Sequence, residues 1–183
     1  EKVLFVNDET GAYDLVMDPR SSDTLYAAMW QRTRKKWNDP RTYEDHTGSG
    51  IYKTTDGGKT WTPINAGLPE AKFRGRIGLD ICLTKPDVLF TLVDNYELRQ
   101  TTKEELDQTR GYYTPEKGFI KGATVYRSND AGASWTQTSG LTPQQKTFME
   151  RHSGTYGWVF GQIRVDPNDE NTVYIMGVPI SSS

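Results

Sequence analysis

Residue types that bind or transform ligands gather in three stretches of this 183-residue chain. The first, 32–49, carries Arg32, Arg34, Lys35, Lys36, Trp37, Tyr43, Glu44, Asp45 and His46. The second, 95–122, carries Tyr96, Glu97, Glu104, Glu105, Arg110, Tyr112 and Tyr113, and the third, 139–157 and its edge, has Glu150, Arg151, His152, Tyr156 and Trp158. Aromatic rings beside arginines and carboxylates suit sugar or peptide ligands, through stacking and bidentate hydrogen bonds. The candidate ligand-binding residues are therefore Arg32, Trp37, Tyr43, His46, Tyr112, Tyr113, His152, Tyr156 and Trp158. The alternative reading, open for each, is that the aromatics pin long loops to a rim and that 32–36 is a solvated charged face. The two histidines lie in separate stretches without ligand spacing, so no metal is expected. The segment Asp166, Asn168, Asp169, Glu170 has the acidity of a calcium loop without its glycine or terminal bidentate glutamate, and reads as a turn. No residue pattern calls for a cofactor.

Glycoside hydrolysis requires two carboxylates about 5–10 Å apart across the scissile bond. No matched pair emerges, and no catalytic residue is assigned. Asp14 and Asp80 lie in predicted strands from which either could face a central channel, but each reads first as a structural hydrogen-bonding residue.

The elements that must hold these stretches are set by two copies of one pattern, hydroxyl, any, Asp, any, Gly, any, hydroxyl, Trp. Thr54, Asp56, Gly58, Thr60 and Trp61 form the first; Ser128, Asp130, Gly132, Ser134 and Trp135 form the second, 74 residues on. An aspartate accepts backbone N–H bonds from residues just after it and a glycine supplies positive φ, so each copy closes a hairpin turn. The tryptophan starts the returning strand with its ring free for the core. The Asp is thus a turn lock, not a catalytic acid.

A second repeat lies between the turns. Short apolar runs break at Asp18-Pro19, Lys85-Pro86 and Asp166-Pro167 and resume with Tyr26, Phe90 and Tyr174, each eight residues after Asp18, Cys82 and Asp166. Such runs bounded by proline turns read as hairpins. The order is strand A, proline turn, strand B, variable stretch, strand C, Asp turn, strand D. Helical periodicity is absent except at 102–109.

The expected fold is all-β, a partial β-propeller of four-stranded antiparallel blades. Residues 1–6 match the residues just after each turn tryptophan and read as the last strand of a preceding blade. Residues 12–66 and 77–138 read as blades, and 159–183 as the first three strands of a further one. Propellers close with four or more blades of about 40–50 residues. The chain therefore reads as an excerpt of a longer one, whose partners would be the remaining blades or edge-paired copies. In an up-and-down blade the A–B and C–D turns share one face and the B–C and D–A connections the other. All three long stretches then fall on the second face, where function is expected.

Composition narrows the classes. Basic and acidic residues number 22 and 24, giving a net charge of −2 and no electrostatic case for nucleic acid. No apolar run approaches the roughly 18 residues of a membrane helix. The single cysteine, Cys82, reads as a buried small hydrophobe.

The two turns resemble the Asp-box, or BNR repeat, which joins the third and fourth strands of propeller blades in sialidases, xyloglucanase-type glycosidases and the sortilin/Vps10 group. The run from Asp14 through Trp30, Gln31 and Arg32, then Gly48 to Trp61 and Gly75 to Leu79, looks most like bacterial sortilin/Vps10-like propellers. That resemblance implies a secreted or cell-envelope protein whose propeller binds protein, peptide or glycan, with no catalytic residues to carry across. Arg74, Gly75, Arg76, Ile77 and Gly78 lack the proline of the sialidase Arg-Ile-Pro signature. The favoured function is a non-catalytic binding module; the alternatives are a xyloglucanase- or sialidase-like glycoside hydrolase and a structural or assembly component.

One measurement checks the turn-lock reading. Asp56→Ala should lower the melting temperature, because the turn loses its side-chain acceptor, and should leave any ligand binding intact. An unchanged melting temperature with lost activity would contradict it.

Overall fold

The computed structural model describes residues 1–32, 45–104, 119–150, 161–177 and 180–182. The described residues form three antiparallel sheets. The first has the order β1 (Thr10–Met17), β2 (Leu25–Gln31), β3 (Gly50–Thr54), β4 (Thr62–Pro63), and the second β5 (Arg74–Ile81), β6 (Leu89–Leu98), β7 (Ile120–Ser128), β8 (Thr136–Gln137). The third pairs β9 (Gln162–Asp166), β10 (Asp169–Met176) and β11 (Ile180–Ser182) in the same sense. Chain order equals spatial order in every sheet, so each is an up-and-down blade. The all-β expectation holds.

Alternation in β6 shows why the blades stack. Leu89 and Val93 join a core cluster with Tyr26, Ile51, Leu79 and Trp135 of the first two blades. Phe90 and Leu92 point the other way, into a cluster with Val125, Ile163, Val165 and Val173 of the second and third. A strand covered on both faces has no polar side to spare. Eight consecutive residues from Leu89 to Tyr96 are accordingly buried.

The two repeat turns close with the same bonds. In the first, the Thr54 hydroxyl donates to Asp56 Oδ1 at 2.7 Å and accepts the Gly58 N–H at 3.0 Å. Asp56 then accepts the Thr60 N–H and hydroxyl at 2.9 and 2.6 Å. Ser128, Asp130, Gly132 and Ser134 repeat each bond. The turns also reach their own blade's A–B hairpin, Gly57 N–H to the Asp23 carbonyl and Ala131 N–H to the Asp87 carbonyl. That places A–B and C–D turns on one face. Arg20 clamps Asp18 and Asp87 there, joining the first two blades, and Lys85 pairs with Glu170 to join the second and third.

The tryptophans differ in reach. Trp135 is 4% exposed, and its indole N–H donates to the Ile64 carbonyl of the preceding blade at 2.8 Å. Trp61 is half-buried and bonds the Gly58 carbonyl of its own turn. Cys82 is buried beneath the second hairpin.

Residues 1–6 pair with no described strand. A fourth strand gains its ladder only from the third strand of its own sheet, and no described strand offers one to this segment, so its reading as the last strand of a preceding blade is untested. Val3 packs near Gly58 and the Trp61 ring, as Ile64 packs at Gly132. One expectation is corrected: helix α1 (Pro143–Glu150) stands in the third long stretch, where none was expected. Thr142 Oγ1 accepts the Gln145 N–H and Gln145 Oε1 accepts the Thr142 N–H, both at 3.2 Å, a reciprocal cap ahead of a proline first turn. Residues 103–104 are helical, while 105–109 lie outside the described residues.

Ala131 occupies φ 56° where the first turn has Gly57 at φ 72°. A β-carbon in that region costs about 1–2 kcal/mol, partly offset by glycine's greater chain entropy. Ala131→Gly should therefore stabilise the protein by about 0.5–1 kcal/mol in urea unfolding. An acid titration tests the lock itself. Hydrogen bonds from the Ser134 and Ser128 hydroxyls and from the Ser134 backbone lower the Asp130 pKa to about 2, against an ordinary 3.8. A carboxyl held lower in the folded state contributes fully above the unfolded value and loses that contribution as pH falls towards the folded one. The difference in melting temperature between wild type and Asp130→Asn should be constant above about pH 4 and shrink towards pH 2.

Candidate functional site

The face opposite the repeat turns is assembled from the end of β2, the starts of β1 and β5, and the loop ends of β6 to β8. Trp30 and Arg32 stand two residues apart at the end of β2, on one side by strand period, and Arg74 and Arg76 stand at the start of β5, where the pairing with β6 is irregular between Arg74 and Ile77. The Arg32 guanidinium carbon lies 4.9 Å from the centre of the Trp30 ring, and that of Arg76 lies 3.6 Å from the Tyr13 ring and 5.7 Å from Trp30. Tyr13 and Trp30 meet edge to face at 6.4 Å and 78°. The result is an alternating ladder of guanidinium and aromatic groups across the first two blades. All four side chains are half-buried.

Several donors in this region lack a partner among the described residues: Tyr13 Oη, Arg74 Nε and Arg76 Nε. Burial pushes the Arg74 guanidinium pKa below its ordinary value. The Tyr96 ring lies over Gly75, where any β-carbon would collide with it at 2.3 Å. Beside the ladder, Glu9 receives Gln31 Nε2 at 3.1 Å and stands 3.9 Å from His46 Nε2. The Gln31 side-chain oxygen Oε1 accepts the Gly48 N–H at 2.7 Å, tying the loop's return to the strand end.

On the second blade the same face holds a cavity of about 520 Å³, lined by Leu98, Arg99, Lys121, Thr124, Gln137 and Met149 among others. Its lining mixes two cations with amide and aliphatic groups.

The carboxylates nearest the inner strands have other work. Asp14 Oδ2 accepts the Leu79 N–H of the second blade at 3.1 Å, with Arg164 Nη1 at 3.6 Å. Asp80 Oδ2 accepts the Val165 N–H of the third blade at 2.8 Å. Each therefore bridges neighbouring innermost strands. Burial raises the Asp80 pKa, opposed by the N–H bonds to Val165 and Ile81 and by Arg164.

Of the sequence-selected ligand residues, Arg32 stands in the ladder and His46 is buried against Glu9. Trp37, Tyr43, Tyr112, Tyr113, His152, Tyr156 and Trp158 lie outside the described residues. The ladder's other members, Tyr13, Trp30 and Arg76, were not selected, because they sit inside strands instead of loops. Period-two pairing of Trp30 with Arg32 was the signal available. Among the described residues no group of three or more His, Cys, Asp or Glu is arranged to hold a metal, and no helix is long and apolar enough to cross a membrane.

Asp80→Asn isolates the bridging role, since an amide oxygen still accepts the Val165 N–H without the cost of a buried charge. A carboxyl raised in the folded state is stabilising below its unfolded pKa and loses this as pH rises through the folded one. The variant should melt higher than wild type at pH 7 and converge with it near pH 4, followed by differential scanning calorimetry.

No family model matches the chain, and no curated protein does. Among solved structures it is similar to the GH74 xyloglucanase from Xanthomonas campestris, with a TM-score of 0.50 and 19% identity over 89% of this chain and 19% of that one. It also aligns with the GH74 enzyme of Niastella koreensis, with a TM-score of 0.49 and 18% identity over 97% of this chain and 22% of that one. The chain spans about a fifth of the length of these structures. At such identity the likeness bears on fold alone: four-stranded antiparallel blades of a β-propeller.

Proposed function

We propose that this chain is part of a non-catalytic propeller that binds a protein, peptide or glycan ligand on the face carrying the Tyr13–Arg76–Trp30–Arg32 ladder. The observation that carries the reading is the ladder itself, half-buried, cationic, and flanked by arginine and tyrosine donors without partners among the described residues. Rings of this kind stack on sugar or peptide planes, and guanidinium groups bind hydroxyl, carbonyl or carboxylate oxygens. The Asp-box pattern and the sortilin/Vps10-like runs support a secreted or cell-envelope protein, completed by further blades or by copies paired edge to edge.

A second reading, a glycoside hydrolase, has one observation in its favour: Asp80 is a carboxyl with a raised pKa, close enough to Asp14 to feel its charge. A raised carboxyl is what a general acid requires. Against it, each carboxylate is already occupied by a backbone N–H of the next blade.

A glycan and peptide array, paired with assays on chromogenic β-glucosides and xyloglucan, separates the two. Binding without turnover is expected, weakened at least about tenfold by Trp30→Ala or Arg76→Ala and unaffected by Asp56→Ala. Turnover abolished by Asp80→Asn, with the fold retained by circular dichroism, would establish the hydrolase instead.

A further inference from the structure

Arg20, Arg127 and Arg164 each end near a carboxylate of the fold. Arg20 pairs with Asp18 and Asp87, Arg127 stands 3.8 Å from Glu170, and Arg164 stands 3.6 Å from Asp14. Arg74 and Arg76 differ. Their Nε atoms are buried without a hydrogen-bond partner among the described residues, and no described carboxylate pairs with either guanidinium. A cation drawn partly out of water without an acid beside it is held at a cost. Burial accordingly pushes the Arg74 pKa below its ordinary value, with only Tyr52 set against it. Two charges on either side of Gly75 are thus left for something else to neutralise.

The aromatic members of the ladder narrow what that is. Sugars without charge are gripped by stacking on a ring face. The Arg76 guanidinium already lies over Tyr13 at 3.6 Å and over Trp30 at 5.7 Å, and Arg32 lies over Trp30 at 4.9 Å. The rings hold cations in place, and a held guanidinium loses little freedom when it meets an acid group in its planar fork. The balance of donors and acceptors narrows it further. Arginine only donates. The nearest carboxylate, Glu9, already takes Gln31 Nε2 and stands beside His46. A peptide brings a backbone N–H at nearly every residue, each in need of an acceptor. A sugar chain has no such series, and its ring, ether and acid oxygens all accept.

We infer that the Arg74–Arg76 end of the ladder binds an acidic polysaccharide, one whose sugars carry carboxylate or sulfate groups. The inference rests on the reading of this face as a ligand site and names the ligand class. With each Nε sealed in the fold, the terminal guanidinium nitrogens meet the acid oxygens.

The probes are polygalacturonate and dextran sulfate, with uncharged dextran and polyglutamate beside them, titrated into the intact chain by calorimetry at low and high salt. Saturable binding of one acidic polysaccharide or both is expected, weakened by salt, with none of dextran; the polymer preferred identifies the acid group. Arg74→Gln and Arg76→Gln should each weaken binding at least about tenfold. Arg76→Lys, which keeps the charge and loses the fork, should recover only part of it, and it serves as the test if the glutamine variant misfolds. Lys59→Gln, which removes an exposed cation from a repeat turn on the other face, should change nothing. The proposal is overturned by dextran or polyglutamate binding as tightly as the acidic polysaccharides, by no binding of either acidic polymer, or by binding that ignores Arg74 and Arg76 or falls equally with Lys59. A neutral glycan or a peptide that binds and is released by Trp30→Ala overturns the acidic ligand and leaves the ligand face standing. Absence of any ligand that depends on Trp30 or Arg76 overturns both.

Discussion

A four-stranded sheet with apolar residues on both faces has to be covered twice, and the rest of this architecture depends on that demand. β6 states it most plainly, with Leu89 and Val93 directed to one neighbour and Phe90 and Leu92 to the other. Covering both faces means setting blades side by side, and it forces the innermost strands close together. A β-carbon on Gly78 would stand 2.5 Å from the Gly161 carbonyl oxygen of the third blade. Backbone approach at this distance leaves inner-edge amides pointing at a neighbour instead of water, where an unmade hydrogen bond costs about 1–3 kcal/mol. Asp14 and Asp80 supply the missing acceptors, each from one blade to the next.

The outer edge meets the same demand differently. There the blades diverge, and a flat side chain of large area is needed to fill the wedge. Trp135 does so, and its amide and indole N–H groups are satisfied by the Ala66 and Ile64 carbonyls of the earlier blade. Gly67, at φ 91°, allows the contact, since its β-carbon would lie 2.0 Å from the Trp135 carbonyl oxygen. The hydroxyl–aspartate lock of the turn thus acts at a distance. It fixes where the tryptophan begins its strand, and so whether the wedge is filled.

Much of this was legible in the chain because the causes are local. The turn pattern carries its own hydrogen-bond set within eight residues, and each proline-marked hairpin brings its aromatic to the same place. Helix α1 was legible too, in Thr142, Pro143 and Gln145, but periodicity over eight residues is a poorer signal than the reciprocal cap. Residues 1–6 mark the limit of such local signals. Their sequence resembles a fourth strand, yet strand structure depends on a partner and not on the segment alone. The guanidinium–aromatic ladder joins Tyr13, Trp30 and Arg76 from three strands, up to 63 residues apart in the chain. No spacing along one segment reveals it; only blade stacking brings β1, β2 and β5 together.

The same stacking changes how the acidic residues should be read. In a chain with 24 of them, it is tempting to search first for a catalytic pair. Yet Asp56 and Asp130 lock turns, Asp18 and Asp87 share Arg20, and Asp14 and Asp80 accept amides across blades. Each is already placed where its negative charge or its lone pairs satisfy N–H groups of the scaffold. A carboxylate so engaged is a poor nucleophile or proton shuttle, because using it in a reaction means breaking a contact that holds two elements together. The arginines of the opposite face are in the reverse condition. Arg74 and Arg76 keep Nε donors without partners among the described residues, and aromatic rings hold the Arg76 guanidinium in place. On this face, then, it is the buried cations, and not the carboxylates, that keep a donor without a partner among the described residues, and stacking on Tyr13 and Trp30 fixes the Arg76 guanidinium where the carboxylates elsewhere are fixed by amides.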